Sequence, residues 1–153
     1  MDSESITIAI GCDHAGYALK SALAAALAGA GHAVLDMGCD GAGRVDYPDY
    51  AHAVCRAVAG ERARFGVLVC GSGVGMSIAA NRHPAIRCAL ASEVTTARLS
   101  REHNDANVIA LGARLIGEVA ALDILRTFLA TPYEGGRHDQ RLAKLAPTAG
   151  IPA

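Results

Sequence analysis

Five short apolar runs recur along the chain, and a longer stretch with helical spacing separates each run from the next. The runs are ITIAI (6–10), AVLDM (33–37), GVLVC (66–70), IRCALA (86–91) and NVIALG (107–112). Because they are short, nearly continuous and rich in Val, Ile, Leu and Ala, they are typical of strands that are buried on both faces. Strands that alternate with helices favour a parallel sheet covered by helices on both sides. We therefore predict an α/β fold, a Rossmann-like three-layer αβα sandwich around a five-stranded parallel sheet.

The stretches between these runs predict the helices of the two outer layers. From Gly16 to Ala28, apolar residues recur on one stripe, and Pro48 suits the first turn of a second helix. The glycines of GSGVG (71–75) open a third helix, and Ser92 is a candidate cap for a fourth. Two further helices are expected over residues 117–130 and 137–146.

The composition is that of one globular domain, which we expect to span residues 1–153 with a loose tail at about 147–153. With 52% apolar and 19% charged residues, the chain is suited to a single core. The net charge of −1 gives no basis for a nucleic-acid partner, and no apolar run approaches the roughly 20 residues of a membrane span. The five cysteines are odd in number and include no CxxC pair, which favours free thiols in a reducing compartment. We therefore expect a cytoplasmic protein without nucleic-acid or membrane partners.

Chemistry-bearing residues follow several of the predicted strands. In doubly wound sheets, ligands bind beyond the carboxyl ends of the strands. The first strand ends in Asp13 and His14, the third ends in Cys70, and the fifth is followed by Arg114. The segment after the fourth strand contains the run REHND at 101–105. We expect all of these groups to converge on one edge of the sheet.

The run CGSGVG, from Cys70 to Gly75, is the most informative of these segments. Glycines at a strand-to-helix turn expose several backbone N–H groups, which can hold a phosphate or an oxyanion. A tight turn that simply requires glycine is the alternative, and the run is not the dinucleotide fingerprint GxGxxG. Likewise, Cys70 is either a reactive thiol at the mouth of this turn or a small buried apolar side chain.

Histidines and arginines give weaker indications. His103, at the end of a helix, and His14, beside Asp13, are candidates for acid–base work, although lone histidines are often structural. Arg137 and Arg141 fall on one face of the predicted last helix, where they would either bind an anion or form a solvated basic face. No two of the six histidines have HxxxH spacing, so we predict no metal site.

Six motifs, in their order along the chain, make the sequence resemble the ribose-5-phosphate isomerase B and galactose-6-phosphate isomerase family. They are GCDHAGYALK (11–20), DYPDYA (46–51), CGSGVGMSIAANR (70–82), SREHNDANV (100–108), LGARLIG (111–117) and YEGGRHDQR (133–141). The resemblance covers nearly the whole chain, about residues 6–146. Any one motif is a modest signal, whereas six in order are highly specific.

The resemblance implies a sugar-phosphate isomerase that works without a metal or another cofactor. It implies that His103 and Asp13 open the furanose ring, and that Cys70 is the base that moves a proton between C1 and C2 through a cis-enediolate. It also implies proton transfer at the oxygens by Ser72 and an anion hole formed by the amides of the glycine loop. The implied substrate-binding residues are Gly71, Gly73, Val74 and Gly75 in that loop, His14, Arg114, Arg137 and Arg141 at the phosphate, and Asn104 and Tyr47 along the pocket.

The resemblance further implies a branch of the family and an assembly. One branch replaces the cysteine and uses a glutamate a few residues on, whereas this chain has Cys70 and carries Met76 at the other position. It therefore resembles the cysteine-base branch. The implied assembly is a homodimer, or a dimer of two such dimers, in which His103, Asn104 and Arg114 reach across to the partner's Cys70.

The expected activity is the interconversion of ribose 5-phosphate and ribulose 5-phosphate, and three alternatives stay open. A galactose-6-phosphate or allose-6-phosphate isomerase would act on sugars one carbon longer. A phosphosugar-binding module without activity would need only the arginines, whereas Cys70, Ser72 and His103 are all present here. A nucleotide-binding domain is disfavoured because the first strand-to-helix turn lacks GxGxxG.

Overall fold

The computed structural model describes residues 4–146. Its strands are β1 (Thr7–Cys12), β2 (Ala33–Asp36), β3 (Phe65–Cys70), β4 (Cys88–Leu90) and β5 (Val108–Gly112). Its helices are α1 (Tyr17–Gly29), α2 (Tyr47–Ala59), α3 (Val74–Ala80), α4 (Val94–Asn104), α5 (Glu118–Ala130) and α6 (Asp139–Ala143), with a 3-10 turn at Gly136–His138. The strands form one parallel sheet in the order β2-β1-β3-β5-β4, which confirms the predicted fold class. The tail expected at 147–153 lies outside the described residues.

The order of the strands brings the ends of three of them together. β3 lies between β1 and β5, and Cys70 at its end is paired with Gly112, the last residue of β5. Val69 is paired in the same way with Cys12, the last residue of β1. The segments that follow these three strands therefore leave the sheet side by side at its carboxyl edge.

The sheet has an apolar core on each face because successive strand residues point to opposite sides. Val67 packs on one face with residues of α1 and α5, among them Phe128. Its neighbour Leu68 packs on the other face with residues of α2 and α3, among them Val54. All four of these side chains are fully buried, so the strands are covered on both sides as their apolar runs predict. None of the helices in residues 4–146 has both the length and the apolar character needed to span a membrane.

The helix α4 is capped by Glu93 and not by Ser92, the residue expected from the sequence. The Glu93 carboxylate accepts hydrogen bonds from the backbone N–H groups of Thr95 and Thr96, at 2.7 and 2.6 Å, and from the Thr96 hydroxyl. The bonds from Thr96, with those from Thr95, hold the pKa of Glu93 below its usual value. A negative charge at this end of the helix also interacts favourably with the helix dipole.

The last helix is shorter than predicted and begins later. α6 spans Asp139–Ala143 rather than 137–146, and Arg137 lies in the 3-10 turn before it. Gly135 and Gly136 have φ angles of 65° and 58°, in the left-handed region that favours glycine, so the chain turns sharply before the helix begins. The two arginines expected to share one helix therefore lie on different elements.

Candidate active site

The loop after β3 places a backbone N–H group at the sulfur of Cys70. The cysteine is 5% exposed, and the N–H of Gly73 donates to its Sγ at 3.1 Å. Gly73 has a φ of 77°, which a side chain would strain, and α3 begins at the next residue. The N–H of Val74 donates to Ser72 Oγ at 3.3 Å. One short turn thus holds a thiol, a hydroxyl and several backbone donors.

Asp13 lies beside this loop because β1 neighbours β3. Its backbone N–H donates to the carbonyl of Val69 at 3.2 Å, and its Oδ1 accepts hydrogen bonds from the N–H groups of Ala15 and Gly16 at 3.0 and 3.1 Å. The residue is buried, and its second oxygen, Oδ2, accepts no hydrogen bond from residues 4–146. The carboxylate is therefore fixed in direction, while one oxygen stays available to a ligand.

His14 is oriented by a hydrogen bond from the loop that precedes α2. The N–H of Val45 donates to Nδ1 of His14 at 3.3 Å. Because Nδ1 is the acceptor, the neutral ring carries its proton on Nε2. The side chain can therefore donate a hydrogen bond through Nε2 to an anionic group.

Tyr47 and Arg114 lie against two glycines of the loop. A Cβ placed on Gly75 would be 2.5 Å from Cζ of Tyr47, so the ring lies directly on that backbone. A Cβ placed on Gly71 would be 3.4 Å from Cδ and 3.5 Å from Nη1 of Arg114. The backbone N–H of Arg114 also donates to the carbonyl of Gly71 at 2.9 Å. Arg114 therefore lies at the loop of its own chain, contrary to the expectation that it reaches across to a partner.

His103 and Asn104 lie elsewhere, at the amino edge of the sheet. A helix that joins parallel strands must return to the edge at which the next strand begins, and α4 ends there. The carbonyl of Asn104 accepts a hydrogen bond at 3.0 Å from Nε of Arg87, the residue just before β4. Asp105, with a φ of 44°, is held at this edge by ion pairs with Arg87 and Arg101 at 3.2 and 2.8 Å. The expectation that this segment converges with the glycine loop on one edge is wrong within a single chain.

The segment that carries Arg137 and Arg141 packs beside His103. The N–H of Glu134 donates at 3.0 Å to the carbonyl of Glu102, the residue before His103. The ring of His138 lies 4.5 Å from the ring of His103, with 19° between their planes. Both arginines are exposed, and Arg137 lies 3.5 Å from the Glu134 carboxylate. This segment is therefore part of the amino edge as well.

The predicted site residues thus form two groups. The carboxyl-edge group comprises Asp13, His14, Tyr47, Cys70, Gly71, Ser72, Gly73, Val74, Gly75 and Arg114. The amino-edge group comprises His103, Asn104, Arg137 and Arg141. β5 runs from one edge to the other over its five residues, about 13 Å at the usual rise of 3.3 Å per residue. The sheet itself separates the two groups of one chain.

Sequence reasoning missed Glu134 and His138. In the part of the chain that the structure describes, His103, Glu134 and His138 form a cluster whose possible metal-ligating atoms lie within 4.8 Å of one another. Histidine spacing gave no sign of this group because two distant segments supply it. The spacing of Glu134 and His138, four residues apart, is the one local signal that could have drawn attention to the pair.

Tyr133 stabilises the start of the segment that carries Arg137 and Arg141. Its hydroxyl donates to Oδ1 of Asp139 at 2.7 Å. Burial, together with this hydrogen bond to Asp139, raises the pKa of Tyr133 to about 12. The phenol therefore stays protonated and keeps its hydrogen bond at neutral pH.

The two groups differ in the chemistry that they offer. The carboxyl-edge group combines a thiol, a carboxylate with one free oxygen and an imidazole donor with backbone N–H groups, a set that can move protons and hold negative charge. The amino-edge group offers an imidazole and two guanidinium groups, and guanidinium suits phosphate because it can bind two oxygens at once. Together they suit proton transfer on a phosphorylated molecule.

Comparisons with known proteins agree in sequence and in structure. The chain is 49% identical over 135 residues to ribose-5-phosphate isomerase B of Escherichia coli, covering 88% of this chain and 91% of that protein. It is 38% identical over 139 residues to the galactose-6-phosphate isomerase subunit LacB of Clostridium acetobutylicum, covering 91% and 80%. A crystal structure of a ribose 5-phosphate isomerase from Thermotoga maritima matches with a TM-score of 0.92 at 47% identity, covering 94% of this chain and 99% of that one.

A family model supports the same relationship. The model described as Ribose/Galactose Isomerase matches residues 8–145, which include every residue of both groups. The match therefore covers the whole sheet and both of its edges. With relatives of this similarity over nine-tenths of its length, the protein belongs to the ribose/galactose isomerase family of sugar-phosphate, aldose–ketose isomerases.

Proposed function

We propose that the protein interconverts ribose 5-phosphate and ribulose 5-phosphate through a cis-enediolate. The observation that carries the proposal is the thiol of Cys70 at the glycine loop, with the N–H of Gly73 at 3.1 Å from its sulfur. An aldose–ketose isomerase needs a base at carbon and donors that hold the developing negative charge, and this loop supplies both. The 49% identity to ribose-5-phosphate isomerase B of E. coli supports a pentose as the substrate.

In the proposed reaction, the thiolate of Cys70 removes the proton from C2 of the open-chain aldose. The electron pair moves towards O1 to give the enediolate, whose charge is held by the amides of residues 71–75. One such preorganised donor is typically worth about 10²–10³ in rate. The thiol then returns the proton to C1, while Ser72 Oγ carries a proton from O2 to O1. Met76, at the position of the glutamate in the other branch of the family, is fully buried and has no basic group.

Ring opening is the role proposed for His103 and Asp13. Opening the furanose requires an acid that protonates the ring oxygen and a base that takes the proton of the O1 hydroxyl. His103 is the proposed acid, and Asp13 Oδ2, which accepts no hydrogen bond from residues 4–146, is the proposed base. The proposed phosphate ligands are His14, Arg114, Arg137 and Arg141, and Asn104 and Tyr47 line the pocket.

We further propose a homodimer in which each site combines the carboxyl-edge group of one chain with the amino-edge group of its partner. Because the sheet separates the two groups of one chain, a site that uses both has to draw on two chains. A two-fold dimer would contain two such sites, since each chain gives to both.

Exposed apolar side chains near the carboxyl edge support a contact surface there. Exposed apolar side chains that gather in one region are typical of protein–protein contacts. Among the exposed large side chains of the described residues are Val74, Ile78, Leu90, Val94, Leu115 and Val119, which range from 41% to 75% exposed. Several lie on or beside the glycine loop, so a partner seated on them would lie next to the proposed site.

A hexose phosphate is the second candidate substrate. The 38% identity to a galactose-6-phosphate isomerase subunit favours it, although less than the 49% identity to ribose-5-phosphate isomerase B favours the pentose. A phosphosugar-binding role without catalysis would not require the thiol of Cys70 or the hydroxyl of Ser72.

The direct test is turnover of the full chain on ribose 5-phosphate, allose 6-phosphate and galactose 6-phosphate, with each ketose product followed by NMR. We expect kcat/KM for ribose 5-phosphate to exceed that for either hexose by about tenfold or more, because one extra carbon in a fitted pocket is worth at least that much. A chelator should leave the rate unchanged. Faster turnover of a hexose would overturn the pentose assignment, and binding without any turnover would favour the phosphosugar-binding role.

A further inference from the structure

His138 is a buried histidine that the proposed reaction does not use. It is 4% exposed, and its ring lies nearly parallel to that of His103, with 4.5 Å between the ring centres and 19° between the planes. We propose that His138 is a positioning residue that fixes the plane of the His103 ring for ring opening. The inference rests on the role proposed for His103.

The ring of His138 is itself held in place. Its Nε2 donates to the Glu134 carboxylate at 3.3 Å, and its backbone N–H donates to the carbonyl of Gly135 at 3.2 Å. The N–H of Glu134 in turn donates to the carbonyl of Glu102, one residue before His103, at 3.0 Å. The segment that carries His138 is therefore bound to the same turn of α4 that carries His103.

The His138 ring contacts the face of the His103 ring and leaves both ring nitrogens of His103 without a hydrogen bond from the described residues. Within residues 4–146, no group makes a hydrogen bond to either ring nitrogen of His103. Catalytic imidazoles are commonly oriented by a hydrogen bond to one ring nitrogen, and that constraint is absent here among the described residues. Contact between aromatic faces has a preferred geometry and so limits the rotation of the His103 ring. Both nitrogens then remain available to the sugar.

The test compares two substitutions of His138 by steady-state kinetics on ribose 5-phosphate. His138→Phe keeps a flat ring against His103 and loses the hydrogen bond to Glu134. His138→Gln keeps a polar group for Glu134 and loses the flat ring. We expect His138→Gln to lower kcat by about ten- to a hundredfold with a much smaller change in KM, because displacement of a catalytic group by about 1 Å can cost 10²-fold. His138→Phe should retain most of kcat.

A double-mutant cycle with His103→Ala separates positioning from a general structural role. If His138 acts through His103, adding His138→Gln to His103→Ala should cause no further loss of kcat. An equal loss in both backgrounds, or equal losses for the Phe and Gln variants, would overturn the proposal. If circular dichroism shows that His138→Gln is unfolded, His138→Phe and His138→Leu replace the pair. They compare a side chain that has a flat ring with one that lacks it, and both side chains are apolar.

A spectroscopic measurement does not depend on the proposed reaction. In NMR spectra of histidine-labelled protein, the Cε1–H resonance of His103 is assigned by its loss in His103→Ala. Relative to its position in the unaltered protein, this resonance should move downfield in His138→Gln and stay upfield in His138→Phe. An unmoved resonance in His138→Gln would refute the positioning of His103 by His138. Absence of turnover on ribose 5-phosphate in the unaltered protein, with the expected NMR shifts intact, would instead refute the proposed function alone.

Discussion

Cys70 and His103 lie at opposite edges of the same parallel sheet. Cys70 ends β3 and is paired with Gly112, the last residue of β5, whereas His103 comes five residues before Val108, the first residue of β5. The full length of that strand lies between them. If both residues act on one substrate, they must come from two different chains.

Replacement of the proposed base should separate catalysis from binding. Cys70→Ser should lower kcat by about 10²–10⁴-fold, the usual contribution of a positioned general base, while ribose 5-phosphate still binds through its phosphate. Steady-state kinetics and calorimetric titration with the sugar measure the two effects. Cys88→Ser, which changes a half-buried thiol of β4, is the matched control and should keep normal turnover. Near-normal turnover of Cys70→Ser would exclude the cysteine as the base.

Alkylation should modify the thiol of Cys70 before those of Cys12, Cys55 and Cys88. Burial raises the pKa of Cys12 and of Cys55 to about 12, and burial also raises the pKa of Cys88. Because the thiolate is the reactive form, only about one in ten thousand molecules with a thiol pKa of 12 is reactive at pH 8. Cys70 is itself 5% exposed, whereas Cys12 and Cys55 are fully buried, and its neighbours Gly71 and Ser72 at the edge of the sheet are half-buried.

Iodoacetamide at pH 8 should therefore inactivate the enzyme in step with the modification of the peptide that contains Cys70, which mass spectrometry follows. Raising the pH to 9 should leave Cys12 and Cys55 unmodified, because pH 9 is still far below a pKa of about 12. Cys70→Ser is the control, and its corresponding peptide should take up no reagent. Earlier modification of Cys12 or Cys55 would contradict the burial that protects them.

The sheet and the carboxyl-edge group could be predicted because each depends on short stretches of sequence. The run 66–70 nearly coincides with β3, and Asp13, Cys70 and Arg114 each lie at or within two residues of a strand end. Their positions therefore follow from the strands and from the rule that ligands bind at the carboxyl edge.

The position of His103 could not be predicted from a strand end, because it depends on the length and direction of the whole helix α4. α4 has 11 residues, about 16 Å at 1.5 Å per residue, which carries the chain back to the amino edge. The contact of His103 with His138 depends in addition on a sharp turn at Gly135 and Gly136. Neither helical nor strand periodicity reports on a contact of this kind.

The arginines of the amino-edge group should determine affinity for the phosphate. Arg137→Ala and Arg141→Ala should each raise KM for ribose 5-phosphate by about ten- to a hundredfold, because hydrogen bonds to charged groups contribute about 1.5–3 kcal/mol. Arg126→Ala, at an exposed arginine of α5 that is not in either group, is the control. Unphosphorylated ribose should be a poor substrate for the parent enzyme. A KM that stays unchanged in both variants would remove the arginines from the site.

The turn that positions Asp13 should not tolerate a side chain at Gly16. A Cβ at Gly16 would lie 2.5 Å from the carbonyl oxygen of Val69 and 2.8 Å from its carbonyl carbon, so the backbone of β3 would have to move. We expect Gly16→Ala to lower the free energy of unfolding by about 2 kcal/mol or more, as overpacking does. Gly29→Ala, in the last turn of α1 where a Cβ meets nothing within 4 Å, is the control and should be neutral or stabilising. Urea denaturation measures both, and equal stabilities would contradict the close approach.

The shared site is tested most directly by mixing two inactive variants. Cys70→Ser damages the carboxyl-edge group, and His103→Ala damages the amino-edge group. When the two are unfolded and refolded together in equal amounts, random pairing makes about half of the dimers mixed. In a mixed dimer, one site receives both lesions, whereas the other receives an intact Cys70 from one chain and an intact His103 from the other.

The measurement is the turnover of ribose 5-phosphate by the mixture, with mixed dimers identified by native mass spectrometry. Each variant refolded alone is the control. A site shared between two chains predicts activity at about one quarter of the sites, since one of the two sites in each mixed dimer is intact. A mixture that contains mixed dimers and is no more active than either variant alone would contradict the shared site.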